Sequence, residues 1–294
     1  IIMFINLENH NAHICVHNII DSPRATILII PGAGMDHRLG SMIKMNCLYA
    51  TFNFLSIDLP GHGLTSGPSM HSIEELSDFC IDLISKLEID NLVLVGHSMG
   101  GLVALDITSK INNDMTVLMN TSYPLLVGDL LLEHAKNDLE QASEFMTKYG
   151  VFNIPEVQLK ARTFGSFGAG FYKRTNGDIQ TPYGTKNISQ DTQRESNLYS
   201  LKKIFNQVNK EILFHDLNAC SAYRNNNVKD IKNLKFIYGA KDKLARFNPE
   251  NELLANFDDQ DFEIMDDTGH FPYFERPKEL SSILEKFIIG NYEK

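Results

Sequence analysis

With 294 residues, 43% of them apolar, the chain can hold one large α/β domain or two average ones, and it has ample material for a buried core. Its 37 acidic against 27 basic side chains give a formal charge of −10. A nucleic-acid binder needs clustered Lys and Arg to displace counterions from phosphates, so the acidic balance and the lack of any basic cluster exclude that class.

Four scattered cysteines, Cys15, Cys47, Cys80 and Cys220, form no Cys-x-x-Cys pair. They read as small core residues of a protein in a reducing compartment, and a cytoplasmic location is expected, with secretion as the alternative. The apolar opening from Ile1 to Ile5 stops at Asn6 and Glu8, too short for a signal segment or a bilayer crossing. Neither a targeting segment nor a membrane span is therefore expected.

Residues 2–7 and 12–17 read as an opening pair of strands. The run from Thr26 to Ile30, ending at Pro31 and Gly32, suits a central strand buried on both faces. Phe52 to Asp58 repeats that pattern before a Pro60-Gly61-His62-Gly63 turn. Ser72 opens a helix with a Ser-x-x-Glu capping signature reaching Glu75, and the helix runs to about Leu87. Asn91 to Val95 is the next strand, followed by a Gly-rich turn, a helix from Met99 to Lys110 and a strand from Met115 to Met119.

Between 121 and 215 this alternation breaks into amphipathic segments and a loop-like stretch, 164–192, rich in Gly, Ser, Thr and Asn, which reads as an insertion. It resumes with a strand from Leu234 to Tyr238, a helix near Pro249 to Asn256, a strand from Asp261 to Met265 and a final helix from Lys278 to Ile289. The whole pattern predicts a mostly parallel central sheet flanked by helices.

Gly96-His97-Ser98-Met99-Gly100 falls between a predicted strand and a predicted helix, the context in which a Gly-x-Ser-x-Gly match carries meaning. A sharp turn there strains the serine backbone, and side chains at the two glycines would collide with neighbouring backbone. The hydroxyl then stands at a helix N-terminus, where the Met99 N–H and the helix dipole favour negative charge. A serine also needs a base, itself oriented by an acid. Asp242 follows one predicted strand and His270 another, and the order Ser, Asp, His fits a nucleophile elbow. Asp266 and Asp267 compete with Asp242 for the acid role because they lie close to His270.

Taken with Asp58-Leu59-Pro60-Gly61-His62-Gly63-Leu64-Thr65-Ser66, Tyr238-Gly239-Ala240-Lys241-Asp242 and Gly269-His270-Phe271-Pro272-Tyr273-Phe274-Glu275-Arg276-Pro277, the chain resembles the α/β-hydrolase superfamily, in its capped esterase and lipase branch, over essentially its whole length. The resemblance implies a triad of Ser98, Asp242 and His270. It also implies a hydrolase core at 1–120 and 216–294, with residues 121–215 as a helical cap. Pro31-Gly32-Ala33-Gly34 sits where such proteins usually have His-Gly-x, which implies a backbone oxyanion donor beside Met99. Ala33 is the expected donor, with Gly34 as the alternative.

A small to medium acyl substrate, most simply a carboxylic ester, follows from that likeness. The same triad also serves acyl transfer, carbon–carbon hydrolysis and lyase chemistry, and the scaffold can act as a ligand receptor. Gly34, His37, Phe164, Phe167, Phe171 and Tyr172 are expected to line the substrate site. His97 and His62 read as packing and turn residues, and Lys241, Lys243 and Arg246 as a solvated loop face. On a strand, His13 and His17 would stand about 13 Å apart, too far to share a metal. With no zincin helix, phosphate loop or dinucleotide fingerprint, no metal or cofactor is expected.

Overall fold

An eight-stranded sheet organises the computed structural model, which describes residues 2–43, 45–152, 173–175, 178–181, 184–187, 201–251 and 253–293. The chain enters through β1 (Ile2–Asn6) and β2 (Asn11–Asn18), an antiparallel pair. It then lays down β3 (Ala25–Ile30), β4 (Phe52–Ile57), β5 (Leu92–His97) and β6 (Met115–Met119). Later in the chain, β7 (Lys173–Thr175), β8 (Asp178–Thr181) and β9 (Gly184–Asn187) make a separate small antiparallel sheet. The main sheet is completed by β10 (Leu234–Gly239) and β11 (Phe262–Met265).

Strand order is β1-β2-β4-β3-β5-β6-β10-β11, antiparallel only where β2 meets its neighbours. All residues of β3, β5 and β6 are buried, as strands covered by helices on both faces require. From β3 the chain builds outward to β4, then crosses back to place β5 on the other side of β3. That reversal opens a crevice beyond the carboxyl ends of β3 and β5, where open α/β sheets place their sites.

The described helices include α1 (Arg38–Met42), α2 (Ile73–Lys86), α3 (Met99–Lys110), α4 (Asp129–Asn137), α5 (Leu139–Gly150), α6 (Lys210–Ala222), α7 (Pro272–Glu275) and α8 (Pro277–Tyr292). The capping box expected at α2 is present. Ser72 Oγ accepts the Glu75 N–H at 3.2 Å, and Glu75 Oε2 accepts the Ser72 N–H at 3.1 Å.

Several expectations need correction. Among the described residues near Pro249 to Asn256 no α-helix forms; the short 3₁₀ turn Leu254–Asn256 stands there instead. Asn248 Oδ1 takes the Glu250 N–H and Asn251 Oδ1 takes the Leu253 N–H, and such side-chain bonds compete with helical ones. The stretch expected as loop at 164–192 contains β7 to β9. Cys80 and Cys220 are buried, but Cys15 is only partly so and Cys47 is exposed, so the four are not all core residues. Among the described residues, no helix is long and apolar enough to cross a membrane.

Candidate active site

Ser98 links β5 to α3 with φ +52° and ψ −117°, a conformation that an L-residue adopts only when its surroundings hold it there. Its N–H donates to Met119 O at 2.9 Å, while its carbonyl accepts from Gly101 N at 2.9 Å and from Thr121 Oγ1 at 3.1 Å. The flanking glycines are required by space. A Cβ on Gly96 would lie 2.2 Å from the Gly100 carbonyl oxygen, and one on Gly100 would lie 2.3 Å from that of Ile30. Ser98 thus stands half-buried at the N-terminus of a twelve-residue helix.

His270 and Asp242 arrive from separate loops at the same end of the sheet. His270 Nδ1 lies 2.7 Å from Asp242 Oδ2, and both side chains are buried. Asp242 accepts on both oxygens: Oδ1 from the N–H groups of Leu244 (2.8 Å) and Ala245 (3.0 Å), Oδ2 from His270 and from Asn120 Nδ2 (2.8 Å). Burial opposes its charge, but the His270 ring and these donors outweigh it and bring its pKa down to about 2. Asp266 and Asp267, the alternative acids, are exposed.

The turn carrying His270 has its own support. The buried Glu275 carboxylate accepts the N–H groups of Gly269 (3.0 Å), Phe152 (2.9 Å) and Phe271 (3.3 Å), and His270 N–H donates to Gly150 O at 2.6 Å. Asn120, at φ +49°, donates Nδ2 to Asp242 and to Gly269 O while its buried Oδ1 has no partner among the described residues. Neither Asn120 nor Glu275 was singled out by sequence reasoning. Glu275 lies within the motif around His270, whereas nothing in the sequence marks Asn120.

Ser98 and His270 both line a cavity of about 240 Å³, walled mainly by apolar side chains including Met35, Leu125, Leu131, Phe145 and Leu217. Ala33 lines it too, and its N–H meets no acceptor among the described residues. Gly34 N–H, by contrast, donates to Asp216 Oδ2 at 2.8 Å. Gly34 and His37 do not line this cavity; they border a second one of about 350 Å³, which shares Met35 with the first. His37 is drawn there by Asp58, which accepts both its backbone N–H (2.7 Å) and its Nδ1 (2.9 Å). Phe164, Phe167, Phe171 and Tyr172 lie outside the described residues.

His97 is buried beneath the elbow and donates Nε2 to His270 O at 2.8 Å. Burial and the neighbouring His270 push its pKa down to about 3, so it stays neutral and packs. His62 is a buried turn residue, and Lys241, Lys243 and Arg246 are exposed, Lys243 also reaching the cavity rim. His13, His37 and Asp58 bring three possible metal-ligand atoms within 4.8 Å of one another. The Asp58 oxygens there already accept from His13 Nδ1, His37 and Leu64 N–H, which closes the cluster by hydrogen bonds.

Asp58, Asp106 and Asp242 are all held below the ordinary carboxylate value of 3.8, burial being outweighed in each by hydrogen-bond donors or cations. Their stabilisation is complete above about pH 4 and disappears as the pH falls through each lowered value, about 2 for Asp242. Urea unfolding followed from pH 5 to pH 2 should therefore show a steep loss of stability, and Asp242→Asn should flatten it by about one proton's worth of slope. An unchanged slope in that variant would contradict the lowered value.

An alpha/beta hydrolase family model matches residues 27–283, and the chain belongs to that family. It is 23% identical over 256 residues to the Mycoplasma pneumoniae protein named "Putative esterase/lipase 1", covering 82% of each chain. Among solved structures it is similar to a thermophilic esterase, with a TM-score of 0.71 at 19% identity over 99% of this chain and 98% of the other. The enol-lactonase from Burkholderia xenovorans LB400 has a TM-score of 0.71 at 17% identity over 98% and 100% of the two chains. The chain is an enzyme of the esterase/lipase-like α/β-hydrolase class.

Proposed function

We propose that the protein hydrolyses carboxylic esters of short to medium acyl groups through an acyl-enzyme on Ser98. The observation that carries this reading is the strained, half-buried Ser98 sharing an apolar cavity with His270, whose Nδ1 is bonded to the buried Asp242. With Nδ1 committed to the acid, Nε2 is the ring atom left to accept the serine proton. Ser98 Oγ attacks the ester carbonyl, and the resulting oxyanion is met by the N–H groups of Met99, which has no intrahelical acceptor at the first position of α3, and of Ala33. His270 returns the proton to the departing alcohol, and water repeats the sequence to release the acid. Gly34 drops out as the second donor because Asp216 holds its N–H.

The acyl group occupies the cavity of about 240 Å³, which is small against the roughly 300–1,000 Å³ of ordinary ligand pockets. Each methylene that fits should contribute about 0.8 kcal/mol, close to fourfold in kcat/KM, until the space is full. A series of p-nitrophenyl esters graded in chain length, run beside amide and thioester series, should therefore peak at a short acyl chain. Phe145→Ala or Leu131→Ala should move that peak to longer chains. A specificity constant that climbs through long-chain esters, or products dominated by transfer to an added alcohol, would contradict the proposal.

A further inference from the structure

Helix α6 grips the loop after β3 through a single buried carboxylate. Asp216 is 2% exposed. Its Oδ2 accepts from Gly34 N–H at 2.8 Å and from His62 Nε2 at 2.8 Å. His62 is itself buried, and its other ring nitrogen lies 3.2 Å from the Pro60 carbonyl oxygen. Both partners of the ring are acceptors, so it satisfies both only as a doubly protonated imidazolium.

The apolar side chains of α6 seat it on the same two turns. A Cβ on Gly34, at φ +67°, would meet Leu213 at 3.0 Å, and one on Gly61, at φ +85°, would meet Ile212 at 2.8 Å. Gly34 directly follows Ala33, the backbone donor assigned above. Its left-handed conformation turns the chain there, and the bond to Asp216 pins that turn.

We propose that Asp216 and His62 form a buried carboxylate–imidazolium clamp that holds the oxyanion loop in its working position and releases it when the ring loses its second proton. The catalytic part of this proposal rests on the reading of Ser98 as the acylated residue. Asp216 and His62 are positioning residues: neither lines the Ser98 cavity, and their effect reaches the substrate through Gly34 and Ala33.

Among the other titratable groups nearby, His37 is also held above the ordinary histidine value, by its hydrogen bond to Asp58. Asp58 lies beyond His62 and favours its charge; Asp36 and Arg38 are bound to each other at 2.6 Å, and His37 is bound to Asp58. On α6, the Cys220 thiol is kept protonated by burial and by Asp216, and His215 stacks on His71 with ring centroids 3.8 Å apart. Burial disfavours the charged His62 ring, but Asp216, the Pro60 carbonyl and Asp58 outweigh it and hold its pKa above the ordinary histidine value. A raised histidine contributes fully below its unperturbed value, and the contribution is lost as the pH rises through the raised one.

The test uses Asp216→Asn and His62→Gln in the full chain, with steady-state kinetics from pH 6 to 10 and amide hydrogen exchange at Gly34. Losing one oxyanion donor outright costs about 10²–10³ in kcat, so a loosened loop should cost about tenfold in Asp216→Asn with KM nearly unchanged. Its alkaline limb should move to lower pH. His62→Gln, which cannot titrate, should lower kcat and flatten that limb. Gly34 exchange should quicken by about tenfold or more in both variants.

Parent kinetics, an unmoved alkaline limb and unchanged Gly34 exchange in either folded variant would overturn the clamp. Should both variants fail to fold, the ¹⁵N spectrum of His62 in the parent at pH 6 decides: two protonated ring nitrogens support the clamp, and one bare nitrogen overturns it. Failure of the Ser98 reading is separately visible as absence of a Ser98 adduct in the parent, while Gly34 exchange still reports on the clamp.

Discussion

Ser98→Ala should lower turnover by about 10⁴- to 10⁶-fold while leaving the thermal unfolding midpoint within a few degrees of the parent. The hydroxyl is the only group removed, and the hydrogen bonds that hold the turn are made by the Ser98 backbone, to Met119, Gly101 and Thr121. Alanine suffers the same strain at φ +52° as serine, so the elbow should persist. What remains is substrate binding and oxyanion stabilisation acting on a water attack, worth about 10³–10⁴ over solution in comparable triads. Activity within tenfold of the parent would place the nucleophile elsewhere.

Asp242→Asn is the second large effect, expected at about 10⁴-fold in turnover. Four donors surround this carboxylate: two backbone N–H groups on Oδ1, and Asn120 with His270 on Oδ2. An amide can accept on one side only. If its NH₂ faces His270, the ring must present a bare Nδ1, which puts the proton on Nε2 and removes the base. If it faces Leu244 and Ala245, two buried N–H groups lose their acceptor, which costs about 1–3 kcal/mol for each. Asp266→Asn and Asp267→Asn alter exposed positions and should change turnover by less than about threefold. Comparable losses in all three variants, measured with one ester substrate, would remove the special role given to Asp242.

The sheet and its elbow were legible because the signals there are local. Uninterrupted apolar runs mark β3 and β5, the Ser72-to-Glu75 capping box marks α2, and Met99–Lys110 and Met115–Met119 form as read. Near Pro249 the helical reading failed because Asn248 and Asn251 bind nearby backbone N–H groups, a competition that apolar spacing does not register. His37 sits beside the expected loop in sequence, yet the Asp58 carboxylate draws it into the second cavity.

Long-range pairings were the least legible. His62 and Asp216 are 154 positions apart and Asn120 and Asp242 are 122 apart, and no spacing rule connects either pair. The apolar wall formed by Leu131 and Phe145 was likewise hidden, since amphipathic helices do not announce which face meets the crevice.

Intact-protein mass spectrometry after brief exposure to an alkyl phosphonate fluoride tests the central claim most directly, because only an activated, accessible hydroxyl reacts quickly. The expected result is a single adduct, mapped by peptide sequencing to Ser98, formed in step with loss of esterase activity and absent from Ser98→Ala. An adduct on any other residue, or full loss of activity with Ser98 unmodified, would contradict it.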